Sequence, residues 1–138
     1  LKYELIKIPI FGWYLKKIGS ISIDRNKISK ENLNFYEKII DATKRTKRPL
    51  IIFPQATRTE INERKPFKKG VSKIYEKLSF ICVPVALNSG SVWPKSGKLI
   101  SNKTITISIL EKIPVGLNSE DFLRKLENQL YDELEKIV

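Results

Sequence analysis

The chain has 138 residues, of which 41% are hydrophobic and 30% are charged, values typical of one globular domain rather than a disordered segment. No run approaches the roughly 18 consecutive apolar residues that a membrane-spanning helix needs. The net charge is +11, and it is uneven: residues 1–110 carry 22 basic against 8 acidic side chains, whereas residues 111–138 carry 4 against 7. A basic body favours anionic partners such as nucleic acid, phosphorylated substrates or an anionic membrane surface, although ordinary solvated lysines explain any single charge equally well.

The first 18 residues contain two short amphipathic patterns separated by Pro9. The aromatic residues at positions 11, 13 and 14 lie close in sequence to lysines at positions 2, 7, 16 and 17. Aromatic rings in the headgroup layer and amines on anionic lipid would suit a segment that lies in a membrane interface. A helical cover packed on the rest of the protein explains the same pattern, and both interpretations stay open.

Hydrophobic periodicity predicts the remaining elements. Strands are predicted over residues 20–24, 50–53, 81–87 and 104–110. Helices are predicted over residues 30–48, after an N-cap at Ser29, and over residues 68–78 and 120–137. Strands that alternate with helices indicate an α/β fold, with helices packed on a largely parallel or mixed central sheet. We expect residues 1–138 to form a single domain, and the polar segment 54–67 to carry function because phosphate-binding groups sit best on loops held by a sheet.

Four blocks carry the most specific signals. Residues 53–58 (Phe-Pro-Gln-Ala-Thr-Arg) follow a short apolar run, and residues 19–25 (Gly-Ser-Ile-Ser-Ile-Asp-Arg) end a predicted strand on an acid and an arginine. Residues 66–70 (Pro-Phe-Lys-Lys-Gly) precede a helix, and residues 83–89 (Val-Pro-Val-Ala-Leu-Asn-Ser) form a strand with an early proline. The order of these blocks resembles the glycerolipid acyltransferase family, whose members acylate 1-acylglycerol-3-phosphate, and the resemblance covers roughly residues 1–90.

The resemblance implies a glycerolphosphate-acyltransferase-like fold and transfer of a fatty acyl group from acyl-CoA or acyl carrier protein to a lysophospholipid, giving phosphatidic acid. It implies no metal or redox cofactor. It also implies direct, base-assisted attack on the thioester, without a covalent acyl-enzyme. The partners would be the anionic membrane surface, the lysophospholipid and the acyl donor, at the cytoplasmic face of a membrane. Carried over by motif, the substrate-binding residues would be Arg25, Gln55, Ala56, Thr57, Arg58, Lys68 and Gly70.

Cations suit a phosphate acceptor, and the arginine fork of Arg25 or Arg58 can bind phosphate oxygens in pairs, whereas Lys68 acts as a point charge. Thr57 is expected to bond the turn or the ligand, with the turn favoured. The family has Glu and Gly where this chain has Gln55 and Ala56. An alanine at this position predicts a backbone φ below zero.

The sequence contains no histidine. The family's first block, His-x-x-x-x-Asp, supplies the general base, so no catalytic residue is assigned within the chain and the block is expected upstream of Leu1. The chain would then be an amino-terminally truncated acyltransferase domain that is inactive alone. Two other classes stay open: a catalytically dead relative that binds lipid phosphate, and a basic nucleic-acid-binding α/β module, which no recognised motif supports.

Overall fold

A computed structural model describes residues 3–21, 31–46, 48–60, 63–94 and 96–138. The chain divides into two units, Leu1–Ile51 and Ile52–Val138. The expected single domain stays a prediction. We describe each unit by itself.

The N-terminal unit contains a short 3-10 helix, Tyr3–Lys7, followed by helix α1, Phe11–Lys17, and helix α2, Glu31–Thr46. The break predicted at Pro9 separates the first two elements. A Cβ on Gly12 would lie 1.9 Å from the carbonyl oxygen of Ile6, so glycine permits the close approach of α1 to the 3-10 helix. Gly19, with a φ of 74°, donates its N–H to the carbonyl of Lys16 at 3.0 Å and ends α1 in a left-handed cap.

In the C-terminal unit, the residues that the structure describes form three helices and two strands. They are α3 (Lys69–Leu78), β1 (Val85–Leu87), α4 (Ser89–Val92), β2 (Ile107–Ile109) and α5 (Ser119–Ile137). Asn118 caps α5, because its side-chain oxygen accepts the N–H of Asp121 at 2.9 Å. Helix α5 packs against α3 and β1, and its apolar stripe forms the core as the sequence predicts. The buried core residues are Phe67, Tyr75, Ala86, Ile113, Phe122, Leu126, Leu130 and Tyr131.

The two strands pair antiparallel, with Val85 opposite Ile109 and Leu87 opposite Ile107. Within the described ranges this pair is the whole sheet. The predicted mixture of helices and strands is confirmed, whereas a largely parallel or mixed central sheet is absent from that part of the chain. The strand predicted over 81–87 shortens to Val85–Leu87, with a single bridge between Cys82 and Ile113. Pro84 has no N–H to donate to a ladder, which explains the interruption.

The other predicted strands also differ from the structure. Residues 50–53 are irregular, and Ile51 is 77% exposed. Among the described residues, no strand pairs with this apolar run. The strand predicted over 104–110 shortens to Ile107–Ile109. Ser20 and Ile21 are not in a strand, and residues 22–24 of that prediction lie outside the described residues.

Helix boundaries agree closely with the predictions for α3 and α5, whereas the predicted start of α2 at residues 29–30 lies outside the described residues. Among the helices that the structure describes, none combines the length and apolarity required to cross a bilayer. The same ranges hold no group of three or more His, Cys, Asp or Glu side chains suited to a metal ion.

Candidate functional site

A tight turn opens the first motif of the C-terminal unit. The N–H of Ala56 donates to the carbonyl of Phe53 at 3.0 Å, which closes a four-residue turn with Pro54 at its second position, where proline is favoured. The N–H of Lys68 donates to the carbonyl of Pro54, also at 3.0 Å. This second bond fastens the turn to the N-terminus of α3, so two blocks that are separate in sequence become neighbours.

A cavity of about 260 Å³ lies beside this turn. Gln55, Thr57 and Arg58 line it from the first motif, and residues 87–90 line it from the end of β1. Helix α5 contributes Tyr131 and Leu134. The structure therefore brings the 53–58 block and the 83–89 block to one cavity, as expected if both serve one ligand.

Arg58 is exposed. Among the residues that the structure describes, Arg58 has no salt-bridge partner, in contrast to Arg64, which pairs with Asp132 at 3.6 Å and with Glu135. An unpaired guanidinium at a cavity wall can form paired, charge-assisted hydrogen bonds to a phosphate or carboxylate. Arg58 is therefore the cation of this cavity best suited to an anionic ligand.

Tyr131 forms the buried side of the cavity and is only 7% exposed. Its hydroxyl donates to the carbonyl of Lys65, and the side chain of Gln55 lines the same cavity. Burial raises the pKa of Tyr131 from its ordinary value, and the hydrogen bond with the Lys65 backbone opposes that rise. The phenol stays neutral near pH 7, so its chemistry here is hydrogen bonding.

Asn88 fixes the far wall of the cavity. Its amide nitrogen donates to the carbonyl of Ile137 at 2.6 Å, and its side-chain oxygen accepts the N–H of Thr106 at 2.7 Å. The side chain is 7% exposed. One buried amide thus joins the end of β1 to the segment before β2 and to the end of α5, which makes the wall rigid.

The expected site residues divide into four groups. Gln55, Thr57 and Arg58 line the cavity, whereas Ala56 lies in the turn beside it. Lys68 and Gly70 lie at the N-terminus of α3 and do not line the cavity. Arg25 lies outside the described residues.

The N-terminus of α3 is open to solvent. Lys68 and Gly70 are exposed, and a Cβ added to Gly70 would have no heavy atom within 4 Å. Neighbouring protein atoms therefore do not require glycine at this position. Backbone N–H groups and a lysine at the N-terminus of a helix favour an anion.

Sequence reasoning missed Tyr131 as a site residue. Tyr131 lies among the apolar side chains of α5, where a tyrosine needs a partner for its hydroxyl when it is buried. That need is the signal in the sequence, but the partner, the carbonyl of Lys65, is 66 positions away. Only the fold identifies it.

The backbone at Ala56 corrects a prediction. Its φ is 58°, in the left-handed region, whereas the sequence predicts a φ below zero. An alanine Cβ in this region crowds the following carbonyl, which costs about 1–2 kcal/mol. The turn geometry therefore favours glycine, and this chain retains a strained alanine there.

Ala56→Gly is expected to raise the free energy of unfolding by roughly 0.5–1 kcal/mol, because relief of the left-handed strain exceeds the greater chain entropy that glycine adds to the unfolded state. Chemical denaturation measured by circular dichroism checks this. Ala42→Gly, within α2, is the matched control and should lower stability by about 1 kcal/mol. A loss of stability in Ala56→Gly would contradict the left-handed backbone.

A cavity lined by two sequence motifs and by the exposed Arg58 has the form of a ligand-binding site, and comparison with known proteins defines the family. The family model described as Acyltransferase matches residues 1–88. The chain belongs to the acyltransferase family. No solved structure matches the chain significantly.

Three relatives share one name, 1-acyl-sn-glycerol-3-phosphate acyltransferase. The Saccharomyces cerevisiae protein is 30% identical over 99% of this chain and 47% of its own length. The Pseudomonas aeruginosa protein is 33% identical over 70% of this chain and 37% of its own length. The Helicobacter pylori protein is 31% identical over 96% of this chain and 56% of its own length. The chain thus spans about half, or less, of the relatives that it matches.

Proposed function

We propose that the whole protein transfers a fatty acyl group from an acyl-CoA or acyl carrier protein thioester to the hydroxyl of 1-acylglycerol-3-phosphate, giving phosphatidic acid. The observation that carries this proposal is the cavity that joins Arg58 to the 83–89 block in a chain of the acyltransferase family. The names of the relatives support the choice of acceptor. The acceptor hydroxyl oxygen attacks the thioester carbonyl, the C–S bond breaks, and the proton passes to the leaving thiolate.

Arg58 is the residue that we assign to the acceptor phosphate, with Gln55 and Thr57 as neutral donors on the same cavity wall. Lys68 and the N-terminus of α3 would add positive potential from the adjoining segment, and Arg25 would add a further cation. Gly70 would leave room for close approach of the phosphate, since its surroundings are open. The chemistry proposed needs no metal and no redox cofactor.

The general base is not among these 138 residues under this proposal. The sequence holds no histidine, and acyl transfer needs a group that takes the proton of the acceptor hydroxyl as it attacks. The finer fold is part of the same proposal: in the whole protein the β1–β2 pair would extend into the central sheet of a glycerolphosphate-acyltransferase-like domain.

An assay with labelled acyl-CoA and 1-acylglycerol-3-phosphate tests the function. The intact protein should form phosphatidic acid, and the 138-residue chain should be slower by about 10²–10⁴-fold, the usual contribution of a general base. Robust turnover by the 138-residue chain would show that these residues supply the general base, and would contradict the proposal that the base lies outside them. Acceptor binding without turnover by the intact protein would instead favour the catalytically dead relative, for which Gln55 and the missing histidine are the supporting features.

The N-terminal unit supports a location at a membrane surface. Trp13 is 64% exposed, and Phe11, Tyr14 and Ile18 are exposed as well. The Lys17 ammonium lies 4.5 Å from the centroid of the Trp13 ring. Exposed aromatic rings beside lysines suit the headgroup layer of an anionic bilayer. We propose the cytoplasmic face of a membrane, with the protein bound peripherally or held by a preceding segment.

Vesicle binding by the 138-residue chain is expected to require anionic lipid and to weaken as salt rises, because the Debye length is about 8 Å at physiological ionic strength. Removing Lys16 and Lys17 together, as glutamines, should weaken partitioning about thirtyfold, at about 1 kcal/mol per lysine. Co-sedimentation across a salt series measures both effects.

The matched control removes two lysines from α3, Lys73→Gln and Lys77→Gln, which leaves the same net charge. This control should change partitioning far less. Equal losses in the two double variants would show that total charge, rather than the α1 surface, drives binding. Equal binding to neutral and anionic vesicles would show that apolar insertion dominates.

A further inference from the structure

We propose that Trp93 is a specificity-determining residue for the acceptor, and that its ring contacts the first carbons of the acyl chain that 1-acylglycerol-3-phosphate carries. This inference rests on the proposed function, because it concerns the part of the same acceptor that lies beyond the phosphate. The contact is placed in the cavity that Arg58 also lines.

The lining of this cavity is of two chemical kinds. Polar side chains, Arg58 and two glutamates among them, come mostly from the segment 55–63. Apart from Phe53 in the turn, the apolar side chains come from the ends of β1, α4 and α5. We call them the apolar wall: Leu87, Trp93, Pro94, Leu134 and Val138. A cavity that combines an arginine with an apolar wall fits a ligand that has both an anionic group and a hydrocarbon part.

Trp93 is the largest side chain of the apolar wall, and it is 66% exposed. A single exposed hydrophobic side chain is ordinary on a protein surface. Trp93 differs because it shares a cavity with Arg58, whose guanidinium has no salt-bridge partner among the described residues. A hydrocarbon chain that covers the ring removes apolar area from water on both the ligand and the protein.

The backbone around Trp93 is held by hydrogen bonds. Its N–H donates to the carbonyl of Ser89 at 2.8 Å, and the neighbouring carbonyl of Val92 accepts the N–H of Ile100 at 2.8 Å. At the other end of α4, the buried side chain of Asn88 joins β1 to α5. The ring is therefore carried by a rigid frame, so binding costs little ordering of the protein at this position.

The acyl chain is the feature that distinguishes 1-acylglycerol-3-phosphate from glycerol 3-phosphate. Both compounds present the same phosphate monoester, so a contact to the phosphate at Arg58 does not discriminate between them. A contact between Trp93 and the carbons next to the ester does discriminate, because only the acylated compound has those carbons. Arg58 thus binds the group that the two compounds share, and Trp93 selects the acylated one.

A chain-length series in the intact protein tests the proposal. The acceptors are 1-acetyl-, 1-butyryl-, 1-hexanoyl- and 1-octanoylglycerol-3-phosphate, used as dissolved monomers so that partitioning into a bilayer does not enter. Acceptor kcat/KM of the parent should rise with chain length, by at most about fourfold per carbon, the value for full burial of a methylene. Trp93→Ala should flatten this rise, with about a tenfold loss for the octanoyl acceptor and little loss for the acetyl acceptor. Trp93→Phe keeps a ring and should retain most of the rise.

Two further variants serve as controls. Every acceptor of the series carries the phosphate assigned to Arg58, so Arg58→Lys should lower kcat/KM by the same factor throughout. Phe80→Ala deletes an exposed ring that does not line the cavity, and should leave the series unchanged. An equal loss at every chain length for Trp93→Ala would overturn the proposal, because the ring would then act on the phosphate, the glycerol or the fold.

The same acceptors presented in vesicles distinguish a chain contact from a membrane contact. The Trp93→Ala defect should appear with dissolved and with vesicle-bound acceptor. A defect confined to vesicle-bound acceptor would overturn the proposal, because Trp93 would then contact the bilayer rather than the bound acceptor.

Calorimetric binding of the series to the intact protein separates this inference from the proposed function. Binding that strengthens with chain length in the parent but not in Trp93→Ala, without acyl transfer by the parent, would reject the proposed function and support the chain contact. Acyl transfer with a chain-length rise that survives in Trp93→Ala would reject the chain contact alone. A parent protein that neither binds nor acylates any member of the series would overturn both.

Discussion

Arg58→Lys in the intact protein is expected to lower acceptor kcat/KM about tenfold or more while the KM for the thioester stays nearly unchanged. Lysine keeps the positive charge but loses the planar fork, and a hydrogen bond to a charged group contributes about 1.5–3 kcal/mol. Steady-state kinetics with each substrate varied in turn measure the two effects. Fold stability should barely change, because Arg58 is exposed at the cavity wall.

Arg64→Lys is the matched control for this substitution. The same arginine-to-lysine substitution is made here six residues further along the chain. The guanidinium of Arg64 pairs with Asp132 and Glu135, and Arg64 does not line the cavity. We expect its acceptor kinetics to stay close to those of the parent. Unchanged kinetics together with a lowered melting temperature for Arg58→Lys would show that Arg58 is a structural strut rather than a phosphate ligand.

Local patterns predict the helices of this fold well. The apolar stripe of α5 identifies Phe122, Leu126 and Leu130 as core residues because helical periodicity is a property of the segment itself. The same holds for α3, whose start differs from the prediction by one residue. Each of these elements buries one face against the other, so the pattern and the packing agree.

Sheet pairing is not predictable from the same information. The apolar run 50–53 has the composition of a buried strand, yet a strand exists only where another strand supplies hydrogen bonds. Val85–Leu87 finds such a partner in Ile107–Ile109, about 20 residues away. Periodicity describes one segment at a time and carries no information about which segment lies beside it.

In the candidate site as well, the sequence predicts the residues of a contiguous motif but not those that tertiary packing brings to it. Gln55, Thr57 and Arg58 are found from the sequence because they form one contiguous motif. Tyr131 is not, because its hydrogen bond to Lys65 and its place in the cavity wall depend on how α5 packs. The residue type alone predicts the wrong φ for Ala56, because the closed turn before this residue sets its backbone conformation.

Phe122→Ala is expected to lower the free energy of unfolding of the C-terminal unit by about 3–5 kcal/mol, the usual cost of removing a buried phenylalanine. Phe122 is 1% exposed, and its ring stacks on Tyr75 with centroids 3.9 Å apart and planes 10° apart. Small domains have only about 5–15 kcal/mol of stability in total, so the loss is a large fraction. Urea denaturation followed by circular dichroism measures it.

Phe80→Ala is the control, because it deletes the same ring from a position that is 49% exposed. Its loss should be much smaller, since the cavity term is absent and part of the ring already contacts water. Similar losses for the two variants would contradict the central place of Phe122 in the core.

Removal of the Phe122 ring should disturb more than the space that the ring occupied, because Phe122 stacks on Tyr75. The Tyr75 hydroxyl donates to the carbonyl of Pro114 and accepts the N–H of Leu117 at 3.2 Å, so it joins α3 to the segment that leads into α5. Without the Phe122 ring, Tyr75 loses the surface that holds it at this junction.

Acceptor kinetics per folded molecule of Phe122→Ala should nevertheless stay near those of the parent at low temperature, because neither Phe122 nor Tyr75 lines the cavity. A defect in the acceptor KM of fully folded Phe122→Ala would show that the core and the site are coupled.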